Sequence, residues 1–227
     1  YLAQLKQMQE RVLTSTEEEL NRSKMEILSG LMRLRQICDT PALFMEDYHG
    51  DSGKLESLLE LLEQIQTGSH RVLIFSQFRG MLDIIEKELK KMKMETFKIT
   101  GSTPAKERQE MTNAFNNGEG DAFLISLKAG GVGLNLTGAD TVILVDLWWN
   151  PAVESQAIGR AHRMGQERNV EVYRLITRGT IEEKIQELQE SKRHLVSTIL
   201  DGTESRSSLT VAEIREILGI STETLEK

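Results

Sequence analysis

Arg160 and Arg163 stand three residues apart within Gln156-Ala-Ile-Gly-Arg-Ala-His-Arg-Met-Gly-Gln166, a stretch that also carries one histidine and two glycines beside an apolar face. With Pro151 in the first turn of a helix, where its missing N–H costs nothing, both arginines fall on one face of that helix or of its frayed end. Two planar, permanently charged guanidiniums so placed would grip an anion, and phosphoryl transfer needs positive charge brought to the γ-phosphate in its transition state. The same spacing fits a solvated arginine face, since neither residue has a fixed partner in the sequence.

Two further stretches carry residue types with chemical use. Lys128-Ala-Gly-Gly-Val-Gly-Leu-Asn135 follows an apolar run, and small residues there let backbone N–H groups come close to a phosphate or ribose. Its spacing matches neither the dinucleotide fingerprint nor the phosphate-binding loop, so a tight turn without ligand stays open. Trp148-Trp149-Asn-Pro151 sets two of the few aromatics together. Trp148 is expected to pack under the following helix, while an exposed Trp149 could stack on or wedge against a base; a core role for Trp149 is the alternative. The histidines, at 49, 70, 162 and 194, are too scattered for a metal constellation, and no cysteine pair exists, so no metal site is expected. His162 suits a packed or polar-network histidine better than a base, and no Ser/His/Asp order or carboxylate pair stands out.

The elements that must position these residues follow from the rest of the chain. With 227 residues, 39% hydrophobic and 28% charged, the composition suits one sizeable α/β domain with helical extensions, and no apolar run approaches a membrane span. The single Cys38 excludes an internal disulfide and fits a reducing, intracellular compartment. A net charge of −7 argues against a generally basic nucleic-acid binder but leaves room for a local basic groove. The chain opens on Tyr1 with no signal or transit segment, which points to a fragment of something longer.

Leu20, Ile27, Leu31 and Leu34 predict one or two helices ending at Thr40-Pro41, and Leu55, Leu58, Leu59, Leu62 and Ile65 predict another stopping near Gly68. From Arg71 the pattern changes: Val72–Ser76, Thr96–Ile99, Ala122–Ser126, Thr141–Val145 and Val170–Ile176 read as strands alternating with helices or long connections. Such an alternation predicts a mostly parallel sheet with right-handed crossovers and ligands beyond its carboxyl edge. Thr180-Ile-Glu-Glu183 predicts a capping box for a helix with Ile181, Ile185, Leu188, Leu195 and Ile199 on one side. Residues 201–208 read as a linker. A last short helix is predicted, with Thr210 and Glu213 as capping box, Leu209 and Ile214 as hydrophobic staple, and Gly219 as stop.

In this order, Val72-Leu-Ile-Phe-Ser-Gln-Phe78, Ile99-Thr-Gly-Ser-Thr103 with Arg108 and Phe115, Leu127 to Leu136, Asp146 to Pro151, and Gln156 to Gln166 resemble helicase motifs IV, IVa, V, Va and VI of Swi/Snf-type ATPases. Leu34-Arg-Gln-Ile-Cys-Asp-Thr-Pro41 resembles the segment that precedes this lobe in the family, and the compactness suggests a bacterial member. The resemblance implies an α/β, RecA-like three-layer domain over residues 54–179. Residues 1–53 would be a helical segment linking to an absent first lobe, and 180–227 a bracing helix, linker and terminal helix. It implies the second lobe of an ATP-driven translocase on double-stranded DNA, inactive alone, with Mg2+ held mainly by the absent first lobe of the same polypeptide. A protein on that DNA could be a further substrate, and the compartment would be the bacterial cytoplasm or nucleoid, or the eukaryotic nucleus. Arg160 and Arg163 would be arginine fingers, with Gln156 supporting their helix. Gly131, Gly133 and Asn135 would lie near ribose and phosphates, and Ser102, Arg108, Lys128 and Trp149 would face DNA. Two alternatives are a Rossmann-type nucleotide-binding enzyme, which would need a fingerprint where Ser76-Gln-Phe-Arg stands, and a non-catalytic helical interaction module, which leaves the motif core idle.

Overall fold

The computed structural model describes residues 1–45, 47–127, 133–161, 169–198 and 209–220, the side chains of 192–198 excepted. They form two compact units, a sheet unit (Gly50–Leu147 and Ala152–Ile176) and a helical unit (Tyr1–His49, Trp148–Pro151 and Thr177–Lys227).

In the sheet unit, β1 (Val72–Ser76) lies at the centre between β3 (Ala122–Ser126) and β4 (Thr141–Leu144). Outside these run β2 (Thr96–Ile99), next to β3, and β5 (Glu171–Arg174), next to β4, and every pairing is parallel. All residues of β1, β3 and β4 are buried, which is why those strands read as continuous apolar runs instead of alternating ones. The chain steps outward from β1 to β2 and back to β3, so right-handed crossovers send their two helices to opposite faces. One face carries Leu73, Phe75, Phe123, Ile125, Val142 and Leu144 against Phe115 of α6 (Ala105–Asn116) and Ala157 of α7 (Pro151–Ile158). Phe115 and Phe123 meet edge to face with ring centres 5.2 Å apart. Over the other face, α5 (Arg79–Lys91) packs on β1, β2 and β3. The side-chain amide of Gln66, on α4 (Gly53–Thr67), bonds the carbonyl of Met92, just beyond α5.

At the amino edge Arg71 closes the loops. Its Nε and Nη1 donate to the carbonyls of Gly120 (2.9 Å) and Gly138 (3.0 Å), and its guanidinium lies 3.9 Å over the Phe115 ring. A Cβ at Gly138 would come within 2.8 Å of the Phe115 carbonyl oxygen, so the clamp requires glycine there.

The helical unit opens with three helices where periodicity predicts one or two: α1 (Leu2–Thr14), α2 (Glu17–Arg22) and α3 (Lys24–Asp39). The break comes from Thr16, whose hydroxyl and the Glu19 carboxylate form a reciprocal capping box that starts α2 afresh. A Cβ at Gly30 would run into the Met8 side chain, so α1 crosses α3 at a glycine. As expected, α3 ends before Thr40-Pro41, and the buried Cys38 passes its carbonyl to the Thr177 hydroxyl at 3.0 Å. The start of α8 (Ile181–Thr198) differs from the predicted capping box: the Thr180 hydroxyl accepts from Glu182 N, not from Glu183 N, and the Glu183 carboxylate reaches back to Gly179 N at 2.9 Å. The Ile181 amide instead donates to the Tyr1 phenol oxygen at 2.7 Å, and burial pushes that phenol above its usual range. Ile181, Ile185 and Leu188 are buried as predicted, whereas Leu195, Ile199 and the linker 201–208 lie outside the described side chains. For α9 (Val211–Ile217) the capping box is present, Leu209 and Ile214 are buried, and Gly219 takes a φ of +69°.

Candidate functional site

The carboxyl edge of the sheet collects most of the singled-out residues in the sheet unit, and its centre is a buried carboxylate that the sequence reading placed at the start of the Asp146 to Pro151 motif without giving it a role. Asp146, just past β4, is 1% exposed. It accepts from the Ser76 hydroxyl, from the Gln77 amide N–H at 3.2 Å and from Gln77 Nε2 at 2.7 Å, tying the ends of β4 and β1 together. The Phe78 N–H turns to Ser76 Oγ at 3.0 Å. The first amides after β1 are therefore engaged by side chains, one of them anionic, where a Rossmann-type site would offer them to a phosphate. Nearby the buried Lys54 donates to the Val145 carbonyl at 3.0 Å.

Beyond β2, the loop Thr100–Thr103 presents an exposed Ser102, whose hydroxyl lies 2.9 Å from Thr100 Oγ1. Arg108 reaches back from α6 to this loop. Its Nε donates to the Thr103 carbonyl at 2.7 Å and its Nη2 to those of Thr100 (3.3 Å) and Gly101 (3.2 Å). The guanidinium expected on DNA thus stiffens the backbone that displays Ser102.

Lys128 and Gly131 lie outside the described residues. Of the described residues that follow, Leu134 and Leu136 are buried, while Gly133 and Asn135 are exposed. An added Cβ on Gly133 would meet nothing within 4 Å, so packing does not account for this glycine. The Asn135 carbonyl accepts from Asn116 Nδ2 at 2.8 Å, which fixes this stretch onto α6.

α7 is shorter than the arginine spacing suggests. It ends at Ile158, so Arg160 sits in the turn beyond, 6% exposed, and Arg163 and His162 lie outside the described residues. Arg160's carbonyl accepts from Leu136 N at 2.9 Å, which brings its turn beside the stretch that carries Asn135. Gln156 is exposed on α7, while Glu154 on the opposite side is buried.

The tryptophans reverse the expectation. Trp149 is 8% exposed and Trp148 is half-buried. The reason is Arg35 of α3, fully buried itself, whose guanidinium lies 4.9 Å from the Trp149 ring centre and 5.5 Å from that of Trp148. Gln189 of α8 donates to the Trp148 carbonyl, so the Trp148–Pro151 stretch belongs to the helical unit. An arginine between Leu34 and Cys38 on an apolar stripe was the available signal for Arg35. Among the described residues, no group of three or more His, Cys, Asp or Glu side chains could hold a metal ion, and no helix is long and apolar enough to cross a membrane.

Residues 53–165 match the family described as Helicase conserved C-terminal domain. Over 201 residues the chain is 44% identical to YwqA of Bacillus subtilis (strain 168), provisionally described as an ATP-dependent helicase/translocase, covering 86% of this chain and 22% of that protein. It is also 44% identical over 190 residues to the SWI/SNF-related matrix-associated actin-dependent regulator of chromatin subfamily A member 1 of Mus musculus, covering 78% of this chain and 18% of that one. The chain thus spans about a fifth of the length of these relatives. The Sulfolobus solfataricus SWI2/SNF2 ATPase core solved with double-stranded DNA superposes with a TM-score of 0.75 at 34% identity, covering 97% of this chain and 47% of that one. The C-terminal domain of the same enzyme gives a TM-score of 0.72 at 33% identity, covering 97% of this chain and 91% of that domain. With five parallel strands, their covering helices and this near-complete overlap, the chain belongs to the Swi/Snf-type helicase-like ATPase family, as its C-terminal RecA-like lobe.

Proposed function

We propose that this lobe works as the second half of an ATP-dependent motor on double-stranded DNA, supplying arginine fingers and DNA contacts to nucleotide held mainly by a first lobe. The observation that carries it is the likeness to a SWI2/SNF2 ATPase core solved with double-stranded DNA, over 97% of this chain. Arg160 and Arg163 are the fingers and Gln156 supports them. Gly131, Gly133 and Asn135 approach ribose and phosphates, and the exposed backbone of Gly133 suits that task. Mg2+ would neutralise the developing phosphate charge and would be held chiefly by the first lobe. Ser102 and Lys128 face the DNA backbone from the ends of β2 and β3, with Arg108 behind Ser102. Trp149 is dropped from the DNA face because of its burial. A protein bound on the DNA is a further partner of the intact motor, and the lobe alone hydrolyses no ATP.

The test is turnover in the intact two-lobed protein. Fingers contribute on the order of 10³ to 10⁵ in rate, so Arg160→Ala or Arg163→Ala should nearly abolish hydrolysis while nucleotide binding survives. Lysine should not rescue, for want of the planar fork. Melting temperature must be followed alongside, because Arg160 is buried. Folded alanine variants with near-normal turnover refute the assignment, and steady DNA-stimulated hydrolysis by the isolated lobe refutes its dependence on a partner.

A further inference from the structure

The helix before the finger turn sends one charged side chain into the interior beside small apolar ones. α7 has eight residues; its inward positions fall at 154, 157 and 158, and Ala161, in the turn beyond, packs on the same apolar cluster. Two of these are alanines, Ala157 and Ala161, whose methyl groups pack on the sheet without interlocking. The third, Ile158, is only partly buried against the same cluster. The remaining inward side chain is Glu154, a carboxylate only 1% exposed. Its Oε2 receives Arg174 Nε at 3.2 Å, and the Arg174 side chain is 34% exposed. Arg174 is the last residue of β5, in register with Leu144, so the pair joins α7 to the carboxyl edge where the site residues gather. A buried carboxylate is costly away from its partner, so any rotation of α7 that pulls Glu154 from Arg174 is strongly opposed.

We propose that Glu154 and Arg174 are positioning residues for the motor reaction: their ion pair fixes the rotation of α7 about its axis and thereby the direction in which the Arg160 turn and Gln156 are presented. The proposal rests on the finger role of Arg160. The pair touches no substrate and acts through α7. Its chemistry is that of a register device, in which a buried polar pair gives up stability relative to an apolar one and gains a single geometry.

The experiment uses the intact two-lobed protein and measures melting temperature together with kcat and KM for ATP in DNA-stimulated hydrolysis. Misplacing a catalytic group by about 1 Å costs on the order of a hundredfold, so Glu154→Gln and Arg174→Lys should lower kcat roughly ten- to a hundredfold with KM for ATP changed less than about threefold. The double variant Glu154→Met, Arg174→Met replaces the pair by apolar volume and should regain the wild-type melting temperature, yet its kcat should stay low. A merely structural pair predicts the opposite, with kcat returning as stability returns, and that result overturns the proposal. Arg174→Lys, at the partly exposed end, carries the test should the Glu154 variants fail to fold; a folded Arg174→Lys protein with wild-type kcat overturns it too. Arg160→Ala is run beside them: full turnover there sinks the finger assignment itself and the proposal with it, whereas a dead Arg160→Ala beside fully active pair variants sinks the proposal alone.

Discussion

Removing the Asp146 carboxylate should loosen the carboxyl edge by a calculable amount. The carboxylate is 1% exposed and accepts from the Gln77 N–H, the Gln77 side-chain amide and the Ser76 hydroxyl. Of these, the Gln77 side chain can turn to water, and Ser76 Oγ has the Phe78 carbonyl as a substitute at 3.4 Å. The Gln77 backbone N–H, fixed by the turn after β1, cannot swing to water as the side chain can. A hydrogen bond to a charged group contributes about 1.5–3 kcal/mol net, and a donor stranded in the interior costs about 1–3 kcal/mol. Against this stands the relief of no longer burying a charge, so Asp146→Ala should cost about 2–4 kcal/mol in urea unfolding followed by circular dichroism. Asp146→Asn keeps one acceptor and should cost about half as much. The decisive measurement is the cycle with Ser76→Ala: if the hydroxyl acts on Asp146, the double variant should fall short of additivity by about 1–2 kcal/mol. Additivity within about 0.5 kcal/mol would refute the network, as would a neutral Asp146→Ala.

Arg108→Lys should behave like Arg108→Ala, because one ammonium cannot bridge the carbonyls of Thr100, Gly101 and Thr103; each should cost about 1–3 kcal/mol by urea unfolding, and a wild-type-like lysine variant would contradict the clamp. Arg35→Met should shift the emission of the two tryptophans and cost about 2 kcal/mol from the lost desolvated cation–π contacts, and an unchanged spectrum would place Arg35 elsewhere. In the intact motor, Lys128→Ala should weaken DNA binding about equally across sequences and lower the salt slope by roughly one; an unchanged slope would remove Lys128 from the phosphate contacts.

How much of this was legible depended on whether the signal was local. The strands were, because burial on both faces writes itself as an unbroken apolar run at Val72–Ser76 or Ala122–Ser126. The terminal helix was too, since Thr210 and Glu213 sit three residues apart. Thr16 and Glu19 carry the same local signal, but inside a run of glutamates they read as a charged patch. What stayed hidden needed strand order. Asp146 meets Ser76 only because β4 lies beside β1, and nothing in the connection from β3 to β4 dictates that placement. Which tryptophan is enclosed depends on α3, whose Arg35 lies over both rings but far from them in the chain, so the local sequence did not show it. The exchange between Glu154 and Arg174 spans 20 positions and two elements, so neither residue stood out among other charges.

The two edges of the sheet differ in how their polar groups are satisfied, and this asymmetry explains where a ligand can be received. At the amino edge, Asp140 accepts from the Arg71 amide at 3.2 Å and lies 3.0 Å from the His70 ring, while the Arg71 side chain closes on carbonyls of the loops around it. Those contacts are internal and pull the loops shut. At the carboxyl edge, Asp146, Arg108 and Glu154 also make internal contacts, but each braces a more accessible neighbour: the half-buried Gln77 beside the first, the exposed Ser102 above the second, and the exposed Gln156 on the same helix as the third. Charged side chains are used as supports, the one phosphate-binding type among them, Arg108, included, and smaller polar groups and backbone are displayed. Under the proposed function the lobe would engage and release nucleotide in every cycle, which needs contacts of fixed geometry and modest strength, and buried supports of this kind would supply that geometry without holding on to the ligand.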